Sequence, residues 1–403
     1  MTATLICLIS DQRMQNAIPL FQKDRCYERV FLIVSEENGQ INKRFAGYAE
    51  DFIAAFADNA ACTIAPAAVD PMDPNSTKTV IESLASGPCR NDEITINFTG
   101  GTKPMSIGAF HAGISLGCNM LYIDTQKEQI YTYIRGTSSI EPFDLETITV
   151  RHVLRAHGKD IQPAKKESAV ETDFGLSEQI AAHGPESFHL LIHLHDALTT
   201  FIKAEEKKYQ QIADERKNLN MPALERPKGM DREYQLSIKD FRTAPWLVEG
   251  FLQAGVMRRE DSHYWLNNRA FKYLNGDWLE LFVYHLLAKK ERFNDLLFKV
   301  LVTGIENEID IACTLNAKLA LIECKIGKVN GSATQPILGR LRALKESLAG
   351  AFGKSFLITT TRDANINDQF RLRAKEYSSR VIGLEELMNA EKIIYEELTR
   401  RER

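Results

Sequence analysis

A few charged side chains in the last third of the chain have the types and spacing for phosphodiester chemistry. Glu308 and Asp310 flank Ile309, and Glu323 and Lys325 flank Cys324, so in extended strands each pair shares one face. A turn at 316–318 predicts that the two strands pair as a hairpin. The carboxylates and the lysine would then meet at the sheet surface, beside inward-facing Ile309, Ile311, Ile322 and Cys324. Like charges gathered this way need a cation. Hard oxygen ligands suit Mg or Mn, which bind phosphate oxygens and acidify a bound water until it is nucleophilic. Lys325 can orient that water or stabilise the charge that develops on phosphorus. Glu280, from Gly-Asp-Trp-Leu-Glu on an upstream helix, reaches the same metal directly or through water. The predicted catalytic residues are Asp310, Glu323, Lys325 and Glu280. The predicted metal ligands are Glu280, Asp310 and Glu323, with Glu308 as a further candidate. The bland alternative is an exposed hairpin with alternating charges.

A second constellation lies near the N-terminus. After the apolar run ITINF come Thr99, Gly100, Gly101, Thr102, Lys103, Pro104 and Met105, leading into a helical stretch. Pro104 suits a first helical turn, and paired glycines let backbone N–H groups approach an anion at the positive end of that helix. The loop is not a P-loop, because the Gly-Lys-Ser/Thr ending is missing. A tight strand-to-helix turn without a ligand is the competing reading. Ser10, Asp11, Gln12 and Arg13 follow the first apolar run directly, at the sheet edge where open α/β folds bind ligands.

The elements that must position these groups follow from hydrophobic periodicity. Apolar runs near residues 5, 32, 62, 94 and 120 alternate with amphipathic stretches at 41–57 and 77–84, a βα alternation. Continuous apolar strands need helices on both faces, so a Rossmann-like parallel sheet is predicted. From about residue 164 to 231 the chain is charged and helical and ends in a turn-rich loop. Residues 235–267 suggest two short helices and a hairpin, the outline of a winged-helix-like element. From residue 276 a helix, a strand over 301–314, the strand LALIECKI, a helix, the strand SFLITTT, a helix and the short run VIGL make a second α/β core. The predicted division is 1–150, a connector at 151–274, and 275–403.

The order of acidic helix, acid-bearing strand, Glu323-Cys324-Lys325 strand and amphipathic helix resembles the PD-(D/E)xK nuclease superfamily over about residues 275–390. Ile309 replaces the proline usual before the aspartate. The resemblance implies a restriction-endonuclease-like α/β domain. Gln335, at the start of the next helix, is a candidate water or phosphate ligand. FTGGTKPMSIG, with the polar loop after the first strand, resembles CRISPR-associated Rossmann-fold (CARF) sensor domains over about residues 1–150. These bind cyclic oligoadenylates across a homodimer's twofold axis. The combined order is similar to CRISPR ancillary nucleases activated by cyclic tetra-adenylate. That resemblance implies a homodimer whose ligand site is lined by Ser10, Asp11, Gln12, Thr99, Gly100, Gly101, Thr102, Lys103 and Met105, and a DNA or RNA substrate.

Composition bounds the rest. The 403 residues exceed one ordinary core, and no run approaches the ~20 apolar residues needed to span a bilayer. A soluble, cytoplasmic protein with no membrane partner is expected. The net charge of -4 gives nucleic acid no global attraction, so a local basic surface must supply it. Arg371, Arg373 and Lys375 form one candidate patch, and Lys325, Lys328, Arg340, Arg342 and Lys345 another. Seven cysteines without a CxxC pair read as reduced, buried thiols. His189 and His193 read as ordinary helix positions, and Trp246, Trp265 and Trp278 as core without basic partners. The expected function is a cyclic tetra-adenylate-activated, metal-dependent nuclease. The alternative is a ligand-responsive, DNA-binding transcription regulator with an inactive nuclease-like domain.

Overall fold

The computed structural model describes residues 2–162, 170–219, 221–222, 233–241, 245–306, 308–327, 329 and 335–400. Strands β1 (Ala3–Leu8), β2 (Arg29–Ile33), β3 (Ala61–Ile64), β4 (Glu93–Asn97) and β5 (Asn119–Asp124) run parallel, and β6 (Gln129–Ile134) and β7 (Thr137–Pro142) add an antiparallel hairpin at one edge. The sheet order is β3-β2-β1-β4-β5-β6-β7. β1 shows why the Rossmann-like expectation holds. Leu5 and Cys7 pack with α1 (Met14–Phe21) and α2 (Lys43–Phe56), while Ile6 and Leu8 pack with α3 (Pro74–Ser86) and α4 (Lys103–Leu116). Both faces are covered, so the strand is apolar throughout.

A short helix, α5 (Val150–Ala156), begins at a capping box between Thr149 and His152. It packs on α2 and on the second large sheet, and one hydrophobic core runs from Leu5 through Val153 and Leu154 to Leu319, Leu321 and Leu344. Two hydrogen bonds tie this junction: Val150 N–H to Asp295 Oδ2 at 2.8 Å, and Thr314 Oγ1 to the Ile148 carbonyl at 2.7 Å.

The connector supplies α6 (Val170–His183), the long α7 (Pro185–Asn218), β8 (Tyr234–Ser237), α8 (Pro245–Gln253), β9 (Met257–Glu260) and β10 (His263–Leu266). The three strands form a sheet in the order β8-β10-β9: the expected hairpin is β9–β10 and one of the expected helices is α8, while β8 occupies a stretch where no strand was anticipated. A DNA reader would need cations on its recognition helix, yet α8, PWLVEGFLQ, has none. The transcription-regulator alternative loses its main support there. Arg258 lies over the Trp265 ring and pairs with Glu233 and Glu260. Trp265 therefore does have a basic partner, contrary to the sequence reading, because β9 and β10 place the two residues in register.

After α9 (Asn268–Lys272) and α10 (Trp278–Ala288) come β11 (Asp295–Val300), β12 (Ile309–Leu315), β13 (Lys318–Lys325), α11 (Gln335–Leu348), β14 (Lys354–Thr359), α12 (Asp368–Glu376), β15 (Ser379–Ile382) and α13 (Ala390–Thr399). The sheet order is β11-β12-β13-β14-β15, antiparallel through β13 and parallel beyond. Of the strand expected over 301–314 only β12 forms, residues 301–306 contributing no more than a bridge between Val302 and Ile161, and β11 before them was not anticipated. Two-residue hairpin geometry joins β12 to β13, with Asn316 at φ 54°, a conformation asparagine tolerates. Core residues Ile311, Ile322 and Phe356 face α10 and α13, whereas Ala312, Leu319 and Leu321 face α5 and α11. The cysteines are free, but Cys26 is exposed and Cys62 and Cys118 are partly so, which corrects the expectation that all are buried. Among the described residues no helix is long and apolar enough to cross a membrane.

Candidate active site and candidate ligand loop

Hairpin register pairs Ile311 with Ile322, which sets Asp310 directly across from Glu323 on the α11 side of the sheet. Asp310 Oδ2 accepts a 2.7 Å hydrogen bond from the Cys324 N–H. Glu323 is only 8% exposed and pairs with Arg340 of α11. Lys325, exposed at the end of β13, adds a positive charge that Glu323 feels. Glu280 enters from the first turn of α10, with Lys299 Nζ 3.5 Å from its Oε2 and 3.1 Å from Asp277 Oδ1. That Oε2 is buried and, among the described residues, has no hydrogen-bond partner beyond this ion pair. Glu308 precedes β12 instead of lying on it, so the predicted shared face with Asp310 does not arise within a strand. Its charge still acts on Glu280 and Lys299.

The electrostatics identify a coupled group. Burial, and then the charges of Glu280 and Glu323, push Asp310 up to about 8 against the pull of Cys324 N–H and Arg340. Burial also pushes Glu280 up to about 7, with Asp277 and Glu308 adding to the rise and Lys299 opposing it. Burial raises Glu323 too, offset by Arg340 and Lys325. Burial is the main cause for all three carboxylates, and Asp310 also feels the charges of Glu280 and Glu323; a divalent cation relieves such a group.

Hard oxygen donors, with the Glu280 Oε2 held only by the Lys299 charge at 3.5 Å, fit Mg or Mn. Among the described residues, however, no three His, Cys, Asp or Glu side chains stand close enough to hold one ion together. Each acid is engaged elsewhere: Asp310 with a backbone N–H, Glu323 with Arg340, Glu280 toward Lys299. The sequence reading missed Asp277 and Lys299 and placed Arg340 only in a surface patch. Asp277 stands three residues before Glu280, a spacing that signals a shared helix face; Lys299 gave no such signal. Lys328 and the Gln335 side chain lie outside what is described.

At the other sheet, β1 and β4 are neighbours, which brings their C-terminal loops together. The Gly100 backbone passes so close to the Leu8 carbonyl that a Cβ there would stand 2.3 Å from its oxygen, and Gly101 has φ +74°. Asn97, which the sequence reading passed over, is fully buried and links the loop after β4 to the first turn of α1. Its Nδ2 donates to Gln15 O and Asn16 Oδ1, and its Oδ1 accepts from Thr99 Oγ1 at 2.6 Å. Thr102 caps α4, accepting from the Met105 N–H. Asp11, Gln12, Thr102 and Lys103 are exposed, Ser10, Thr99 and Gly101 partly so, and Gly100 is buried. Asp11 pairs with Arg44. Met105 departs from the predicted lining: at 1% exposure it belongs to the core beneath the loop, because the third helical residue faces the sheet.

Residues 4–151 match the family model of the Card1 CARF domain, and residues 267–400 match that of the Card1-like endonuclease domain. Among solved structures, protein VC1899 from Vibrio cholerae is similar at 18% identity and a TM-score of 0.73, covering 97% of this chain and 97% of its own. Can2 from Sulfobacillus thermosulfidooxidans, in complex with cyclic tetra-adenylate, is similar at 18% identity and a TM-score of 0.68, covering 98% of this chain and 97% of its own. At these identities the likeness is one of fold. No curated protein matches.

Proposed function

From a chain that joins a Card1-type CARF domain at residues 4–151 to a Card1-like endonuclease domain at 267–400, we propose a metal-dependent endonuclease switched on by cyclic tetra-adenylate in type III CRISPR antiviral defence. The observation that carries this reading is the coupled, buried acid group of Glu280, Asp310 and Glu323 inside the endonuclease domain. Those three residues would hold Mg or Mn, with Glu308 nearby. The ion, when bound, supplies an acidified water and neutralises phosphate charge. To ligate it, Asp310, pushed up to about 8, would give up its proton and its bond from the Cys324 N–H, and Glu323 would part from Arg340. Lys325, exposed beside Glu323, orients the attacking water or meets the charge on phosphorus.

In the CARF domain, the exposed backbone at Gly101 and Thr102 lies at the N-terminus of α4, where an anion is favoured, and Lys103 adds a charge. Cyclic tetra-adenylate, which Can2 holds in its complex, is the anion assigned to Ser10, Asp11, Gln12, Thr99, Gly100, Gly101, Thr102 and Lys103. The exposed Ile107 and Ile114 on one face of α4 support a homodimer built across this loop. The substrate is nucleic acid, DNA or RNA.

The test is a cleavage assay with Mn or Mg, crossing single- and double-stranded DNA and RNA with and without cyclic tetra-adenylate. The wild-type chain should cut far faster with the ring present. Asp310→Asn and Glu323→Gln should lose cutting by at least ~100-fold while binding the ring normally, the scale expected when groups that act as a unit are broken. Undiminished cutting by both variants would overturn the assignment.

A further inference from the structure

The cation that meets Glu323 is Arg340, more than one turn into α11. Its guanidinium pairs with Glu323 Oε1, its Nε is buried with no hydrogen-bond partner among the described residues, and its charge also reaches Asp310. The side chain is 33% exposed against 11% for that of Glu323, so it closes the acid group off on one side and faces outward on the other. An arginine in a protein keeps its proton at any ordinary pH, so it cannot yield Glu323 by neutralisation and must be moved.

We propose that Arg340 competes with the divalent ion for Glu323 and, once displaced, becomes a substrate contact that grips a non-bridging oxygen of the scissile phosphate. This rests on the reading of Asp310 and Glu323 as metal ligands. The planar fork that now faces a carboxylate is equally matched to a phosphate. The unused Nε shows that the present pairing does not satisfy the guanidinium. Displacement by the ion would thus exchange one anionic partner for another, and the phosphate offers it more acceptors.

Manganese binding to the full chain, measured by calorimetry without nucleic acid, separates the possibilities. Arg340→Gln should bind Mn about tenfold tighter than wild type, the equivalent of removing one competing charged hydrogen bond. Arg340→Lys, which keeps the charge but loses the fork, should fall between the two and guards against a glutamine variant that folds poorly. At saturating Mn both variants should cut more slowly, the lysine variant less severely. Mn affinity that is unchanged or weaker in Arg340→Gln would overturn the competition and leave the arginine as a support for Glu323. Unchanged cutting at saturating Mn would overturn the phosphate contact. Glu323→Gln serves as the separate control: if it leaves Mn affinity intact, the metal-site reading itself fails.

Discussion

Gly100 illustrates how a single residue serves packing before it serves any ligand. A Cβ at that position would stand 2.3 Å from the Leu8 carbonyl oxygen and 3.4 Å from Ser10 Oγ, so the loop after β4 closes against β1 only with glycine. Gly100→Ala should force the two loops apart and destabilise the chain by about 1–3 kcal/mol, the usual range for overpacking. A urea denaturation midpoint equal to wild type would show that the loop has slack. The same contrast explains what the sequence made legible at this scale. Asp310, Glu323, Lys325 and Glu280 were readable because strand alternation and one helical turn put each on a face. Arg340, Lys299 and Asn97 were not, because their partners lie 17, 19 and 81 positions away and only the tertiary fold brings them together. Met105 was misjudged for a similar reason: proximity in sequence to a loop does not tell which way a helix faces.

Helix α5 is the element at which the two large sheets share a core. Its C-terminal turn is closed by His157, whose Nδ1 bonds the Val153 carbonyl at 2.9 Å and whose Nε2 would lie 3.3 Å from a Cβ on Gly350, beyond the end of α11. Burial, with Arg13 adding to it, pushes this imidazole down from 6.5 to about 4. The folded chain therefore keeps His157 neutral while the unfolded chain takes up a proton below about 6.5. Stability should be whole above that pH and should fall as the pH drops from about 6.5 toward 4. At pH 5 the loss from this group is about 1–2 kcal/mol. Comparing thermal midpoints of wild type and His157→Gln between pH 5 and 7.5 tests it, since the variant should lose part of the slope; parallel curves would exclude the role. The periodicity of the parallel strands announced the first sheet well, yet neither α5's part in a shared core nor the β6–β7 edge hairpin was readable. α5 is seven residues long, too short for a periodic signal, and its importance lies in what it touches.

Across the whole molecule, the question is how a ligand at the proposed Ser10–Gln12 site would reach acids in another sheet. Arg13 follows that loop directly and reaches the junction in one step. Its Nη1 donates to Asp51 Oδ2 at 2.7 Å and to the Ala156 carbonyl at 2.8 Å, and its guanidinium lies 3.6 Å from the centre of the Tyr48 ring. Tyr48 is in turn held by Arg44, the partner of Asp11. Arg13 thus ties the residue that follows the loop to the last residue of α5. That helix is bonded to β11 through Asp295 and shares its core with α11, which carries Arg340. A contiguous set of contacts is not yet a coupling; what makes it one is a ligand that favours one arrangement over the other. Arg13→Ala removes both bonds to the junction while leaving Ser10, Asp11 and Gln12 in place. It should bind cyclic tetra-adenylate within a few-fold of wild type, yet lose most of the stimulation of cutting, an uncoupling of about 5–150-fold if the usual range of allosteric free energies applies. Ring affinity and the ratio of cutting rates with and without the ring must be measured on the same preparation. Full stimulation in the variant would mean that the signal crosses between the domains elsewhere, through the proposed dimer or the β6–β7 edge, and not through α5.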